Sequence, residues 1–265
     1  MSQVDNDCEN TLHWACKGGH EGIIKCLVRH YGFDMNLSLL NEAAYRGPRD
    51  VVEFLVCMGA NVSQVGPDRN YPLHCASKGG QLDTVKYLVL QCTVDINSRG
   101  AHGITPLMWA ASMAQRDVFD FLMSVGANSS CVDIFGNSLL HYAFRGGSAD
   151  MIQRIISQDM VDINIRGGIF RRTTLMDAAR GGKLKILALL VNKGALTHLV
   201  DNKGRNILHI ATTGGSMEMV KYILSKNLTD IKARDKDGKT AAMLANDCGF
   251  VRLNTFLVLR GSPEK

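Results

Sequence analysis

The chain has 265 residues, 46% of them hydrophobic, and a formal net charge of +5 at pH 7. This hydrophobic share is ample for a packed core. No run of about 18 apolar residues occurs, so no membrane span is expected, and residues 1–10 are too polar and acidic for a secretory signal.

The charge is unevenly placed along the chain. Residues 1–164 hold 12 Lys and Arg against 17 Asp and Glu, whereas residues 165–265 hold 18 against 8. Two interpretations follow from this asymmetry. Either the charges only solvate the surface and keep the protein soluble, or the basic part is a docking surface for an acidic partner.

Eight cysteines are spread along the chain, and no two of them form a Cys-x-x-Cys pair. Several fall on predicted apolar helix faces, where cysteine behaves as a small hydrophobic residue. We therefore expect free, buried and reduced thiols, and with them an intracellular protein, either cytoplasmic or nuclear.

A local pattern centred on Leu107 recurs along the chain. Thr105 suits a helix N-cap, because its hydroxyl can accept a hydrogen bond from the first turn, and Pro106 suits the first helical position. The equivalent positions, 28 to 35 residues apart, are Leu12, Leu40, Leu73, Leu140, Leu175, Leu208 and, more weakly, Ala242. A period near 33 residues is typical of stacked repeat proteins.

Each repeat contains two further landmarks. Seven residues after the leucine position stands Ala114 in the fourth repeat and a glycine in the others: Gly19, Gly47, Gly80, Gly147, Gly182, Gly215 and Gly249. Glycine can end a helix in the left-handed region. Apolar pairs then follow at helical spacing, the first of them at 23–24, 51–52, 118–119, 151–152, 186–187 and 219–220. Each repeat is thus predicted to be helix, tight turn, helix and loop.

These motifs resemble the ankyrin repeat family. The match rests on Thr-Pro-Leu at 105–107, on Leu-His-x-Ala at 12–15, 73–76 and 208–211, on Gly-Ala at 59–60, 126–127 and 194–195, and on Asp-Ile-Asn at 95–97 and 162–164. The resemblance covers about residues 5 to 261. It implies an all-α solenoid of about eight stacked helix-turn-helix repeats, with β-turn fingers projecting beside the first helices.

We expect one domain over residues 1–265, with repeats at approximately 5–36, 37–66, 67–100, 101–133, 134–167, 168–201, 202–235 and 236–261. The first and last repeats are expected to be caps, since a terminal repeat faces water on one side. The short spacing between the first two repeats predicts no full finger after residues 34–36.

The longest spacing falls around residues 166–172, which read Arg-Gly-Gly-Ile-Phe-Arg-Arg. An apolar pair flanked by three arginines on a projecting loop has two interpretations. It is either a contact for a partner or a disordered tip.

The sequence gives no sign of catalytic chemistry. The Gly-Gly-Lys at 181–183 lacks the earlier glycine and the following Ser or Thr of a phosphate-binding loop. His13, His74, His141 and His209 occupy one position in different repeats, about 10 Å apart per repeat, so they cannot converge on one metal ion. The resemblance implies that this histidine braces the loop–helix junction. We expect no enzyme activity, no cofactor and no metal.

The resemblance implies contact with partners through the finger tips and the exposed face of each first helix. The matching positions are Arg69, Lys78, His102, Met113, Phe135, Arg145, Phe170, Arg172, Arg180, Lys203, Arg205 and Lys239. Aromatic anchors within a basic rim predict an acidic, partly apolar protein or peptide partner. The resemblance also implies that Asn97 and Asn164 match a loop asparagine that is hydroxylated in many family members.

Our main prediction is therefore a monomeric, non-catalytic protein-binding scaffold or adaptor. Nucleic-acid binding by the basic part is the rival, although the sequence lacks aromatic stacking platforms. A third interpretation is a regulatory or substrate-recruiting subunit of an enzyme complex.

Overall fold

The computed structural model describes residues 37–92 and 94–264, together with residues 11, 14, 15, 18, 20 and 22–26 of the preceding part. Fourteen α-helices lie within residues 37–264, and the described part of the chain contains isolated β-bridges, among them that of Gly167 with Arg172, and no strand. The chain divides into two compact units, the first formed by Met1–Ile134 and Arg145–Gly147 and the second by Phe135–Phe144 and Ser148–Lys265.

Unit 1 contains three helix pairs in its described part. They are α1 (Leu37–Arg46) with α2 (Arg49–Cys57), α3 (Pro72–Gly79) with α4 (Leu82–Leu90), and α5 (Pro106–Ser112) with α6 (Arg116–Ser124). The first helices pack in the order α1, α3, α5, and the second helices in the order α2, α4, α6.

Unit 2 contains four helix pairs. They are α7 (Leu139–Arg145) with α8 (Ala149–Ser157), α9 (Thr174–Arg180) with α10 (Leu184–Asn192), α11 (Ile207–Thr213) with α12 (Met217–Ser225), and α13 (Ala241–Asp247) with α14 (Val251–Leu259). Here α9 packs against α11 and α11 against α13, while α8 packs against α10. The helices of both units within residues 37–264 are too short or too polar to cross a membrane.

The start of α5 follows the predicted cap. Thr105 Oγ1 accepts a hydrogen bond from the Met108 N–H at 3.3 Å, and Pro106 is the first residue of α5. Thr173 caps α9 in the same way through the Met176 N–H at 3.3 Å. A side-chain cap satisfies one of the N–H groups that the first turn leaves without a partner.

The predicted left-handed turns are confirmed at five glycines, and Ala114, which departs from the glycine pattern, adopts the same conformation. The residue seven positions after the leucine has φ between 54° and 75° at Gly80, Ala114, Gly147, Gly182, Gly215 and Gly249. The prediction is wrong at Gly47, which does not have a positive φ. Pro48 follows it, and a proline confines the preceding residue to the extended region. Gly19 lies outside the described residues.

The core is built from the repeated positions. Leu40, Leu73, Leu107, Leu140, Leu175, Leu208 and Ala242 are all buried, as are the apolar pairs at 51–52, 118–119, 151–152, 186–187 and 219–220. Each pair lies on a second helix, so these repeats contribute an apolar stripe from both of their helices to the core of their unit. In the first repeat Ile24 is buried but Ile23 is 49% exposed, so the prediction for that pair is wrong at Ile23. The predictions for Leu12, His13 and residues 34–36 concern positions outside the described residues.

Neighbouring first helices approach closely because of glycine. A Cβ atom on Gly79 would overlap the carbonyl oxygen of Tyr45, and one on Gly214 would overlap that of Arg180. Each glycine follows or ends a first helix and meets the end of the preceding first helix within the same unit. The absence of a side chain therefore sets the spacing of the stack at these points.

Short fingers connect the helix pairs. The Asp201 N–H donates to the carbonyl of Arg205, and the Asp235 N–H to that of Lys239, both at 2.9 Å, so each five-residue finger is closed on itself. Adjacent fingers are also joined, since the Lys236 N–H donates to the carbonyl of Lys203 at 3.0 Å. These bonds hold the finger tips in a fixed row within unit 2.

Candidate protein-binding site

The finger at residues 167–172 is a closed turn that presents two apolar side chains. Gly167 and Arg172 exchange two backbone hydrogen bonds, of 2.8 and 2.9 Å, and Arg171 takes a positive φ of 53° within the turn. Ile169 is 76% exposed and Phe170 is 40% exposed. The tip is therefore a defined structure that offers apolar surface to solvent.

A buried carboxylate lies behind this finger. The side chain of Asp201 has no exposed surface, and its Oδ2 accepts hydrogen bonds from Arg205 Nε at 3.0 Å and Nη2 at 2.7 Å. Arg172 Nε lies 3.5 Å from the same oxygen, and its Nη1 lies 4.0 Å from Asp177 Oδ1. The Asp201 carboxylate thus pairs with two guanidinium groups, and its distance to Arg172 is longer than its distances to Arg205.

The two arginines and Lys203 surround the ring of Phe170. The distance from the ring centroid is 4.7 Å to Arg172 Cζ, 5.6 Å to Arg205 Cζ and 5.9 Å to Lys203 Nζ. A cation within about 6 Å of an aromatic ring is attracted by the ring's negative face. We call Phe170, Arg172, Asp201, Lys203 and Arg205 the Phe170 cluster. It joins an exposed apolar ring to a surplus of positive charge.

The pKa shifts in the cluster reflect this crowding of charges. Burial lowers the pKa of the Arg172 guanidinium, as does the nearby charge of Arg205, while Asp177 and Asp201 oppose the change. Burial alone would raise the pKa of Asp201, but the hydrogen bonds from Arg205 outweigh it and hold that pKa below its ordinary value. Asp201 is therefore ionised, and the arginines around it are fixed in place.

The structure brings together four of the twelve predicted contact residues: Phe170, Arg172, Lys203 and Arg205. Arg180 is exposed at the end of α9, and its charge also lowers the pKa of Arg172. Arg172 itself is only 6% exposed, so it supports the ring of Phe170 from within rather than projecting from the finger. Its role in binding stays a prediction.

The other predicted contact residues are dispersed. Arg69, His102, Met113, Phe135 and Arg145 are exposed, Lys78 is half-buried, and Lys239 donates a 2.6 Å hydrogen bond to Asp247. Arg145, the last residue of α7, is grouped with unit 1, whereas the Phe170 cluster lies in unit 2.

The repeated histidines bond to backbone, as the resemblance implied. Nε2 of His74 lies 3.0 Å from the carbonyl oxygen of Ile104 in the next finger, and its Nδ1 accepts the N–H of Tyr71 at 3.3 Å. Nε2 of His141 lies 3.1 Å from the carbonyl of Arg172, and Nε2 of His209 lies 3.1 Å from that of Lys239. Each of these three histidines thus ties a first helix to the following finger.

The two loop asparagines have a structural role of their own. Asn97 Oδ1 accepts the N–H of Asn128 at 2.8 Å, and Asn164 Oδ1 accepts that of Leu196, also at 2.8 Å. Each bond spans one repeat length and joins successive loops within a unit. Hydroxylation of these side chains stays a prediction.

Asp201, which pairs with both arginines of the cluster, was not among the residues predicted from the sequence. A signal was present, because Asp-x-x-Gly recurs at the start of the fingers at Asp133, Asp201 and Asp235, and all three carboxylates are buried. In the second and third of these fingers the carboxylate accepts two backbone N–H groups of its own turn. The repeated acid at a turn start therefore indicated a buried cap rather than a solvated charge.

Comparisons with known proteins agree with this architecture. One curated relative is the Palmitoyltransferase AKR1 of Lachancea kluyveri, which is 29% identical over 66% of this chain. A second is the Transient receptor potential cation channel subfamily A member 1 homolog of Caenorhabditis elegans, which is 26% identical over 92% of this chain. A third is the Ankyrin repeat and KH domain-containing protein mask-1 of Caenorhabditis elegans, which is 31% identical over 62% of this chain. The chain spans only 24%, 17% and 6% of their lengths.

A solved structure shares the fold. It is a chain in the complex of the Bd0816 predatory endopeptidase of Bdellovibrio bacteriovorus with immunity protein Bd3460, with a TM-score of 0.65 and 25% identity. The match covers 74% of this chain and 100% of that one.

Ankyrin repeats generally mediate protein–protein interaction, and their fold is typically non-catalytic. The family model for ankyrin repeats (3 copies) matches residues 1–66, 40–133, 125–198 and 175–263. With the helix pairs, glycine turns and fingers described above, this match shows that the chain belongs to the ankyrin repeat family.

Proposed function

We propose that this chain is a non-catalytic protein-binding scaffold or adaptor whose Phe170 cluster binds an acidic segment of a partner through an apolar anchor. The observation that carries the proposal is the ring of Phe170, 40% exposed and surrounded by three cationic groups within 6 Å. An apolar anchor inside a charged rim is the usual anatomy of a binding hot spot.

The charge balance favours an acidic ligand. Arg172 and Arg205 pair with Asp201, and Arg172 also lies 4.0 Å from Asp177, so with Lys203 three cations face two carboxylates and positive charge remains for an incoming acid. Lys203 is exposed, and Arg205 keeps 12% of its side-chain surface. A partner Asp or Glu can therefore pair with these two groups while a neighbouring large apolar side chain packs on Phe170.

Pre-organisation supports the same proposal. The finger at residues 167–172 is closed by two backbone hydrogen bonds, and the Asn202 N–H donates to the carbonyl of Phe170 at 3.0 Å. The arginine heads are held by Asp201 before any ligand arrives. A ligand binding there loses less free energy to ordering of side chains than it would on a mobile surface.

We also propose that the chain acts as a monomer in a reducing, intracellular compartment. Six cysteines of the described residues are free thiols, and burial raises the pKa of Cys75 to about 12. The expectation that the thiols are buried is wrong for Cys26, Cys57 and Cys248, which are exposed. Recruitment of a substrate for a larger enzyme complex is compatible with the same binding surface.

Selection from a random-peptide phage library on the full chain tests the proposal. We expect enriched peptides in which Asp or Glu flanks a large apolar residue. Phe170→Ala and Lys203→Glu should each weaken binding of a selected peptide by about tenfold or more, the scale of a hot-spot residue. Two exposed residues of the same unit supply matched controls, Leu259→Ala and Lys185→Glu, which should leave binding unchanged.

Two outcomes would overturn the proposal. One is a selected consensus that is basic or neutral, or one that binds the Phe170 and Lys203 variants as well as the parent chain. The other is tight binding of labelled single-stranded RNA or DNA with steep salt dependence, lost in Lys203→Glu, which would favour the nucleic-acid interpretation.

A further inference from the structure

A second candidate site lies in unit 1, in a cavity of about 340 Å³ beside the first helices α1, α3 and α5. Its charged, aromatic and amide groups include those of Asn41, Glu42, Tyr45, Asp68, Lys78 and Trp109. The cavity combines two aromatic rings, two carboxylates and one ammonium group.

Two neutral side chains in this lining each have a buried polar atom with unused hydrogen-bonding capacity. Asn41 is 7% exposed, and its Nδ2 donates to the carbonyl of Asn70 at 3.0 Å, which fixes the orientation of the amide. Its Oδ1 is buried and accepts no hydrogen bond from any residue that the structure describes. The buried indole Nε1 of Trp109 likewise finds no acceptor there. A buried polar atom without a partner is costly, so both atoms point to a ligand that carries a donor and an acceptor.

The cavity already accommodates a cation. The Nζ of Lys78 lies 4.7 Å from the ring centroid of Trp109 and 5.6 Å from that of Tyr45. The two aromatic residues thus form a place where positive charge is stabilised by the ring faces. The chain's own lysine occupies it in the absence of a partner.

The carboxylates favour a cation as well. Asp68 is exposed at the rim, and its two oxygens accept hydrogen bonds from the N–H and the amide of Asn70. Glu42 pairs with Arg46, whose Nε lies 2.8 Å from Glu42 Oε1, and Arg46 does not line the cavity. Arg46 Cζ also lies 5.4 Å from the ring centroid of Tyr45. Among the lining residues themselves, an anionic ligand would meet two carboxylates and the single ammonium group of Lys78.

We propose that this cavity binds an arginine side chain of a partner protein. A guanidinium is planar, stacks on aromatic faces and carries five N–H donors. It can therefore donate hydrogen bonds to Asn41 Oδ1 and to a carboxylate at the same time. It displaces the Lys78 ammonium from the rings of Tyr45 and Trp109. A backbone carbonyl of the same partner segment accepts the hydrogen bond of Trp109 Nε1.

This site is separate from the Phe170 cluster. Its lining belongs to unit 1, and it selects the opposite charge. It therefore does not depend on the acidic ligand proposed for unit 2, and each can fail without the other.

The probe is N-acetyl-arginine N-methylamide, titrated into the full ¹⁵N-labelled chain and followed by NMR. The chain has two tryptophans, so the indole N–H of Trp109 is identified with a Trp14→Phe variant. We expect a saturable shift of the Trp109 indole signal. The citrulline analogue, which has the same shape without the charge, and the aspartate analogue should produce no saturable shift.

Variants of the lining residues test which sign of ligand charge the cavity prefers. Glu42→Gln should weaken arginine binding by about threefold or more, the effect of losing one partly screened charge, and Lys78→Met should tighten it by a similar factor. Asp83→Asn removes an exposed carboxylate outside the cavity lining and should change nothing. Phe170→Ala should also leave arginine binding unchanged.

Absence of a saturable shift with the arginine compound would overturn the inference. So would equal binding of the citrulline compound, or weaker arginine binding in Lys78→Met. Saturable binding of the aspartate compound that is lost in Lys78→Met would show an anion site instead.

Discussion

The carboxylate of Asp201 holds Arg205 through both its backbone and its side chain. Oδ1 accepts the N–H of Arg205 at 3.0 Å, and Oδ2 accepts its Nε and Nη2 at 3.0 and 2.7 Å. The same residue therefore closes a finger and orients the guanidinium beside Phe170. The hydrogen bonds that close this finger therefore also fix the position of a positive charge in the Phe170 cluster.

Replacing Asp201 with Asn should be strongly destabilising. The change leaves Arg172 and Arg205 buried or half-buried without their carboxylate, and such losses cost about 3 kcal/mol. We expect the midpoint of urea unfolding to fall accordingly. Asp247→Asn, which removes an exposed carboxylate paired with Lys239, should produce a much smaller change. Equal losses in the two variants would contradict the central role of Asp201.

Stability should fall with acidity because of His74. Burial lowers the pKa of this imidazole to about 4 from its ordinary 6.5. Between these values the unfolded chain binds a proton that the folded chain does not, so the free energy of unfolding decreases as pH falls from 6.5 to 4, by about 3 kcal/mol in total. Above pH 6.5 this contribution is constant.

Urea unfolding at a series of pH values between 7 and 4 measures this effect. Burial also lowers the pKa of His209, which adds to the slope in the same direction. A His74→Gln variant should be less stable at pH 7 but should lose less stability on acidification. The same slope in variant and parent chain would exclude His74 as a source.

Gly214 and Gly181 should respond differently to alanine. Both follow a first helix with negative φ, of −82° and −78° respectively. A Cβ on Gly214 overlaps the Arg180 carbonyl oxygen, whereas one on Gly181 makes an ordinary contact of 3.4 Å with that of Asp177. We expect Gly214→Ala to cost about 3 kcal/mol and Gly181→Ala to change stability by less than about 1 kcal/mol. Thermal and urea unfolding of the two variants provide the comparison.

Asn97 should contribute more to stability than Asn61. The Asn97 side chain bonds to Asn128 in the next loop, whereas Asn61 Oδ1 accepts only the nearby Ser63 N–H among the hydrogen bonds of the described residues. Asn97→Ala should therefore cost about 1 kcal/mol, the net value of one hydrogen bond, and Asn61→Ala less. Chemical unfolding distinguishes the two, and a larger loss in Asn61→Ala would contradict the bridging role.

The sequence predicts the fold well because the repeat presents the same evidence many times. A single leucine or glycine is weak evidence for a repeat, whereas Leu73, Leu107 and Leu140 at a spacing near 33 residues are strong evidence together. All three leucines are buried, as the repeat predicts. The all-α ankyrin-repeat architecture is accordingly confirmed. The failure at Gly47 came from one neighbour, Pro48, whose local restriction overrides the repeat pattern.

The candidate sites are only partly visible in the sequence. Phe170 and Arg172 stood out because the longest spacing between repeats falls there. The unit 1 cavity did not stand out, since Tyr45, Lys78 and Trp109 come from three successive repeats and meet only through stacking. Periodicity shows which residues face the core, but it does not show which side chains from different repeats meet.

Within each unit, the histidine bonds run in one direction, from a first helix to the finger that follows it in sequence. His74 reaches forward to the carbonyl of Ile104, and His209 reaches forward to that of Lys239. The repeats of His74, His141 and His209 therefore each depend on the next repeat for the acceptor of a buried histidine N–H, whereas the next repeat contributes only a carbonyl oxygen to this bond. Removing repeats from the C-terminal end would strand an imidazole N–H, whereas removing them from the other end would free only a carbonyl, so the two ends are unequal as points of shortening or fusion.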